Sequence, residues 1–529
     1  MQRALFVAIP GGLLLAAVAF SCGNSGKSSR FDADSGASSG GGSSGSGGSG
    51  GSSGCGLLCG SGEGGGNPGP CQGLQCAAAD CSQGPTDTTL TGHVYDPAGN
   101  LPLYNVYVYI PNATPAPITP GSPECTPCEA PASGSPIIGT STLPDGSFTL
   151  VKGPNDSWGV PAGNNNGKGI PLVIQVGKWR KQLTIPSVTQ CATNDLDTTF
   201  NAGTGTARQL RLPAKSSEGD MPLIAFTSGC DPAECFLRLV GIDDSEFVAP
   251  TAPNPPPWPQ TTAGAGHVHF YTALDAQNGP NGSAVTGGNT PADTYQWWTD
   301  SKNLLAYDIV FNACECNPNP RGAAAYGAMD VYLKGGGRLF TTHYYGNWFI
   351  PTTGTADLQS VAQWASIMPG GWNANEPDSE GDVVDQSFPK GQAYAAWLQD
   401  NGISTSLGNI TLSDLRDDII APKPTGCTAA SCLSTRWIYN PGDSHPRYLS
   451  FNTPVGTPTA QQCGRAVYSD VHLSGVSDDS TFPAECSDPS IDNPPGHAVN
   501  EKALEFLFFD LSSCVQNDSQ PPPPPNPAQ

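Results

Sequence analysis

Two histidines close apolar runs of similar build. "GRLFTTH" ends at His343, and "RAVYSDVH", led by Gly464, ends at His472. Each run opens on Gly-Arg and rises through apolar residues. Neutral imidazole both donates and accepts hydrogen bonds, and near pH 6.5 it takes up a proton. Tyr344, Tyr345 and Trp348 follow His343. Their flat apolar faces and polar edges suit a sugar or other polyol. Asp470 stands two residues before His472. On an extended chain it shares the histidine's face, where a carboxylate would orient an imidazole. These six residues are the candidate ligand-binding set. A lone strand-end histidine commonly bonds a neighbouring loop, whereas two on matching runs point to a site. Spacing fixes no acid–base pair, so no catalytic residue is assigned.

Other residues offer less. In "NACECN", Cys314 has the position of a nucleophile after a strand, but a disulfide from Cys314 or Cys316 to another loop is the stronger expectation. "EPDSEGD" sets Glu376, Asp378, Glu380 and Asp382 at alternate positions with Gly381 sixth, like the first half of a calcium loop. The twelfth position is Ser387 rather than Glu, and acidic loops are commonly just solvated. His267 and His269 share a strand face as a metal pair would, yet no third ligand is evident. Trp297 and Trp298 are expected to divide between core and surface. No cofactor is implied.

The bulk composition narrows the class. Of 529 residues, 65 are Gly and 52 Pro, and only 13% are charged, which indicates β structure, long loops and a tether. A net charge of −23 argues against nucleic acid and anionic lipid surfaces as partners. The 18 cysteines imply an oxidising compartment. The start agrees: Arg3, two apolar runs and "AFSC" form a secretory leader. Ala19–Cys22 resembles a lipobox, so Cys22 is the expected lipidated residue and the membrane anchor. An ordinary secretory signal cut nearby is the alternative. Gly23, in place of Asp, resembles outer-membrane sorting.

The elements that must position the histidines follow from periodicity and punctuation. Residues 23–54 are a Gly/Ser tether that cannot bury enough surface to order itself. As a coil it spans about 30 Å. Residues 55–87 carry Cys55, Cys59, Cys71, Cys76 and Cys81, whose spacing would allow zinc but whose compartment favours disulfides. With Cys22 removed, 17 cysteines remain, an odd number that leaves at least one thiol free or paired between chains. Residues 88–213 read as a small antiparallel β-sandwich, with "CTPC" (Cys125, Cys128) as a loop staple. Residues 221–514 alternate strands with helices, including helices in "TPADTYQWWTDSKNL" and "ADLQSVAQWASI" and an irregular stretch over 370–435. That predicts a flavodoxin-like α/β domain with a mostly parallel sheet. Five or six βα units are too few for a TIM barrel. Residues 515–529 read as a disordered Pro-rich tail.

Two stretches carry a resemblance. "GHVYDPAGNLPLYNVYVYIP" and "STLPDGSFTLV" resemble the carboxypeptidase-regulatory-like domain, a transthyretin-like sandwich. "YDIVFNA", "GGGRLFTTHYY" and "RAVYSDVHLSG" resemble the ThuA-like branch of the class I glutamine-amidotransferase-like fold over residues 221–514. The amidotransferase's nucleophilic cysteine elbow falls at His343 here, so the resemblance does not imply that activity. The whole chain resembles bacterial lipoproteins of envelope location. The expectation is a lipid-anchored envelope protein binding a carbohydrate or other polar ligand at the rim near His343 and His472. The alternatives are an envelope hydrolase using that rim, or a structural or adhesive surface protein.

Overall fold

The computed structural model describes residues 70–522, apart from 79, 83, 85, 126–127, 129–131, 155, 230, 232, 249–265, 273–291, 294–296, 316–318, 320, 350–354, 366–378, 474–481, 484–485 and 487–496. Cys22, the tether, Cys55, Cys59, Cys316, Glu376 and Asp378 therefore lie outside the described residues.

The first strands are β1 (Thr89–His93), β2 (Tyr107–Pro111), β3 (Pro136–Ser141), β4 (Ser147–Leu150), β5 (Ile170–Val176), β6 (Trp179–Ile185) and β7 (Thr193–Asp195). They form two sheets, in the orders β3-β2-β5-β6 and β4-β1-β7. The pairs are antiparallel except β1 with β7. Burial along β1 alternates, with Leu90 inward, the period of a half-buried strand. The turn before β4 is set by Gly146 at φ +76° and by Asp145, whose Oδ1 accepts from the Ser147 N–H at 3.0 Å.

The larger region contains β8 (Ile224–Ser228), β9 (Phe247–Val248), β10 (Val268–Thr272), β11 (Ala292–Asp293), β12 (Ile309–Asn312), β13 (Arg338–Thr342), β14 (Ala362–Trp364), β15 (Ser379–Val384), β16 (Asn409–Ser413), β17 (Ile419–Pro422), β18 (Thr435–Tyr439), β19 (Pro446–Thr453) and β20 (Gly464–Ser469). One sheet runs β11-β10-β8-β12-β13-β20-β19-β18-β15-β16. From β11 to β20 all neighbours are parallel. From β20 to β16 all are antiparallel. The sheet is thus mixed, and the mostly parallel expectation describes one half of it. Helical crossovers such as Ala323–Lys334 return β12 to a parallel β13, whereas the short link from β18 to β19 admits only a hairpin.

The central strands are buried on both faces, and alternate side chains enter two apolar clusters. Phe311, Phe340 and Val467 join Leu504, Phe508 and Leu511 of the helix His497–Ser512. Val310, Leu339 and Ala466 join Met329, Tyr332 and Leu333 of the helix Ala323–Lys334. This explains why these strands read as near-continuous apolar runs. The glycine corner before β13 has a steric origin. Gly336 sits at φ +105°, and a Cβ on Gly337 would lie 2.4 Å from the Tyr332 ring.

The small sheets and the large one share a core. Trp179 and Phe509 meet edge to face at 6.1 Å. Trp397 Nε1 donates to the Pro102 carbonyl at 2.7 Å. Cys125 pairs with Cys463 and Cys128 with Cys514, so "CTPC" ties its loop to the larger region. Cys71–Cys76 and Cys81–Cys191 are disulfides, as expected over zinc for that segment's described cysteines.

Several expectations need correction. The stretch 370–435 is not irregular in its described part, which holds β15, the helix Pro389–Asp400, β16 and β17. Within the helix expected around Trp298, the described residues hold a strand at Ala292–Asp293 and a helix at Ser301–Leu304. The helix expected near Gln359 shrinks to Ala356–Gln359, and β14 follows it because Trp364 packs on Tyr468 at 5.2 Å. Trp297 and Trp298 are both buried, since Tyr271 and Trp348 cover them. The tail is ordered at its start: Val515 is buried, and Asp518 pairs with Arg465 at 2.8 Å. No helix among the described residues is long and apolar enough to cross a membrane.

Candidate functional site

Four neighbouring parallel strands, in the order β8-β12-β13-β20, each deliver one polar side chain just past their carboxyl ends. β8 leads to Asp231, β12 to Cys314, β13 to His343 and β20 to His472. Such a rim is where open parallel sheets gather ligands. β13 and β20 are in register with Thr342 opposite Ser469, so their following residues emerge side by side.

His343 leaves β13 at φ +53°, a left-handed conformation uncommon for a residue with a Cβ. Its carbonyl accepts from the Tyr468 hydroxyl at 3.0 Å. The imidazole is 1% exposed. Nδ1 lies 2.8 Å from Cys314 Sγ, while Nε2 is buried with no hydrogen-bond partner. Cys314 is the free thiol among the described cysteines, not the disulfide expected, and its Sγ also approaches the Glu315 carbonyl at 2.9 Å. The rings of His343 and His472 stand 3.8 Å apart between centroids. His472 Nδ1 is 2.7 Å from Asp231 Oδ1, and Thr342 Oγ1 donates to Asp231 Oδ2 at 3.2 Å. Only His472 reaches outward, with its side chain 18% exposed.

The charges follow from this packing. Burial pushes the Cys314 thiol well above its usual range, and the charge of Asp231 adds to the shift. Burial holds the His343 imidazole well below its usual value, reinforced by His472 and Arg416. For His472 burial works against the charged form, but ion pairing and hydrogen bonding to Asp231 prevail and lift it to about 9. Burial thus favours the neutral forms of Cys314 and His343, while the contact with Asp231 favours the charged imidazole of His472.

The other expected site residues lie elsewhere. Tyr344 is half-buried beside His343, with the Arg416 guanidinium 4.9 Å above its ring. Tyr345 and Trp348 are fully buried and do not line the rim. They turn into the apolar cluster around Trp298, with Arg321 stacked at 4.6 and 4.7 Å, in the 3-10 turn His343–Trp348 that follows β13. Asp470 does not orient His472. β20 ends at Ser469, the alternation stops there, and Asp470 Oδ2 accepts from the Asp418 N–H at 2.9 Å. Burial, then the neighbouring Asp418, push the Asp470 carboxyl well above its usual range.

The histidines of the expected metal pair, and Asp382 of the calcium candidate, are held by protein groups. His267 Nδ1 pairs with Glu246 at 2.8 Å. His269 is buried between the Tyr307 hydroxyl at 2.8 Å and the Gly266 carbonyl at 3.1 Å. Glu380 and Asp382 stand on β15, which is extended and cannot form a calcium loop, and Asp382 is buried against Arg447 Nε at 3.1 Å. Asp231, the partner of His472, is not among the six candidates read from the sequence. The signal was available: "PLIAFTS" is an apolar strand, and Asp231 follows its carboxyl end as His343 follows that of β13.

No family model matches the chain, and neither does any curated protein sequence. Solved structures similar to it include the mmIFT52 N-terminal domain, at TM-score 0.24 and 9% identity over 41% of this chain and 81% of that one. A ThuA-like protein from Bacteroides uniformis is similar at TM-score 0.29 and 10% identity, over 56% of this chain and 93% of that one. The exo-beta-1,4-mannosidase Op5Man5 from Opitutaceae bacterium strain TAV5 is similar at TM-score 0.20 and 9% identity, over 48% of this chain and 29% of that one.

Proposed function

We propose that the chain is a cell-envelope protein, lipid-anchored at Cys22 to the outer membrane. Its β-sandwich of carboxypeptidase-regulatory-like type sits beside a flavodoxin-like α/β region of ThuA-like type. That region holds a carbohydrate or other small polar ligand at the rim built by His343 and His472. One observation supports the ligand reading: the two imidazoles lie in contact beyond adjacent parallel strands, and the His472 edge reaches outward. With Tyr345, Trp348 and Arg416 buried, the face open to a ligand is formed by His472 and Tyr344, which favours a hydroxyl-rich molecule held by its edges over one stacked on several aromatic rings.

The test is a glycan array and a panel of glycoside and ester substrates, run on the full chain and on His472→Ala. Binding by the wild type that the variant loses supports the proposal. No binding by the wild type across both panels overturns it. The 2.8 Å contact between Cys314 Sγ and His343 Nδ1 favours hydrolysis as a second reading. Turnover on the same panel distinguishes it from binding alone. A purely structural role predicts that neither panel responds. Cys22→Ser would move the protein from the membrane to the soluble fraction, and retention in the membrane would sink the anchor.

A further inference from the structure

We propose that Cys314, His343 and His472 form a binding site for a borderline-soft divalent transition metal of the zinc class, with Asp231 fixing the third ligand. The inference shares its rim with the ligand reading above but stands on separate observations. One ligand atom from each of the three residues lies within 4.8 Å of one from each of the others. A tetrahedral ion with a metal–sulfur bond of about 2.3 Å and metal–nitrogen bonds of about 2.0–2.1 Å sets its ligand atoms about 3.3–3.6 Å apart, inside that limit, so small side-chain shifts that open the 2.8 Å Cys314–His343 contact would admit it.

The donor set is one thiol and two imidazoles, the types that select zinc and its neighbours over calcium or magnesium. The described cysteines pair into disulfides, while Cys314 stays a buried thiol. His343 is buried with Nε2 unpartnered. Buried polar atoms of that kind call for a missing ligand, water or ion. His472 spends Nδ1 on Asp231 at 2.7 Å, which leaves Nε2 as the ligating atom. A carboxylate on the far nitrogen is how proteins orient a metal-bound imidazole. Thr342 holds that carboxylate from the other side at 3.2 Å.

Loading balances simply. The sulfur–proton bond of Cys314 breaks, the sulfur–metal bond forms, and the thiol proton and any imidazole proton leave to solvent. No electron moves. Three protein ligands leave one position of a tetrahedron for a water or a ligand oxygen.

The test is Co²⁺ titration of the full chain after treatment with a chelator, followed by Zn²⁺ competition. The expected result is one ion per chain, a near-ultraviolet thiolate-to-cobalt absorption, and its loss on adding Zn²⁺. Cys314→Ser is expected to abolish that absorption. Asp231→Asn, which keeps the thiol, is expected to weaken binding by about 10–100-fold. Wild-type protein that shows no thiolate-to-cobalt absorption overturns the proposal, as does its persistence in Cys314→Ser. The wild-type titration decides even where a variant fails to fold. Binding is read without any glycan present, so a negative ligand screen and a negative metal titration remain separate results.

Discussion

Asp231 and His472 lie 241 residues apart in the chain and share a hydrogen bond of 2.7 Å. The contact joins the ends of β8 and β20, with β12 and β13 between them in the sheet. Asp231 is buried, and Thr342 is its second partner. Asp231→Ala leaves both partners unmet in a desolvated rim. It is expected to lower stability by about 1–3 kcal/mol, read from the shift in the urea unfolding midpoint. An unchanged midpoint would mean that the rim is looser than this packing.

Trp348 separates core from binding surface. It is fully buried against Trp298 and Tyr326, and its Nε1 donates to Asn312 Oδ1 at 3.2 Å. Trp348→Ala should destabilise by about 3–5 kcal/mol. Trp348→Phe should fold and keep the ligand affinity of the wild type. A Phe variant that folds normally but loses ligand would return Trp348 to the rim.

Gly336 tests the corner before β13. At φ +105° a side chain is strained, and a Cβ would lie 2.8 Å from the Glu124 carbonyl. Gly336→Ala is expected to cost about 1–3 kcal/mol, measured by equilibrium unfolding. The disulfide Cys125–Cys463 should still form, which a thiol count would verify.

His269 gives a pH dependence. Burial lowers it to about 4, against an ordinary value near 6.5. Between those values the unfolded chain binds a proton that the folded chain refuses. Its contribution is flat above pH 6.5, and stability falls as pH drops toward 4, by up to about 3 kcal/mol. Denaturation midpoints across that window for wild type and His269→Gln provide the check. Equal slopes would remove His269 as the cause.

Asp382 distinguishes an ion pair from a calcium ligand. Its carboxylate is buried against Arg447, which also pairs with Asp417 at 2.5 Å. Asp382→Ala should destabilise by about 3 kcal/mol, equally in calcium and in chelator. Thermal melts of wild type and variant under both conditions decide it, and a calcium-dependent loss would restore the loop reading.

Much of the frame was legible because its causes are local. The apolar runs of β12, β13 and β20 show in composition, since strands covered on both faces have no polar side. "DGS" marks its turn through Gly146 and Asp145. The antiparallel half of the sheet was hidden, because "RWIY" and "YLSF" become partners only through a hairpin whose pairing neither run specifies. "ADLQSVAQWASI" carries helical spacing, but β17 offered its backbone as a strand partner and Trp364 a place beside Tyr468. Tertiary packing there outweighed local propensity.

What the sequence alone determined was where strands stop and which residues follow: His343 and His472 after their Gly-Arg runs, Cys314 after "IVF", Asp231 after "IAFTS". Those are properties of neighbouring residues, written in hydrophobicity and steric limits. Only the tertiary structure decided that the four strand ends stand in the order β8-β12-β13-β20, that Cys314 meets an imidazole instead of another cysteine, and that Tyr345 and Trp348 point into the core. Strand order depends on the total surface buried by distant segments. No spacing along the chain encodes it.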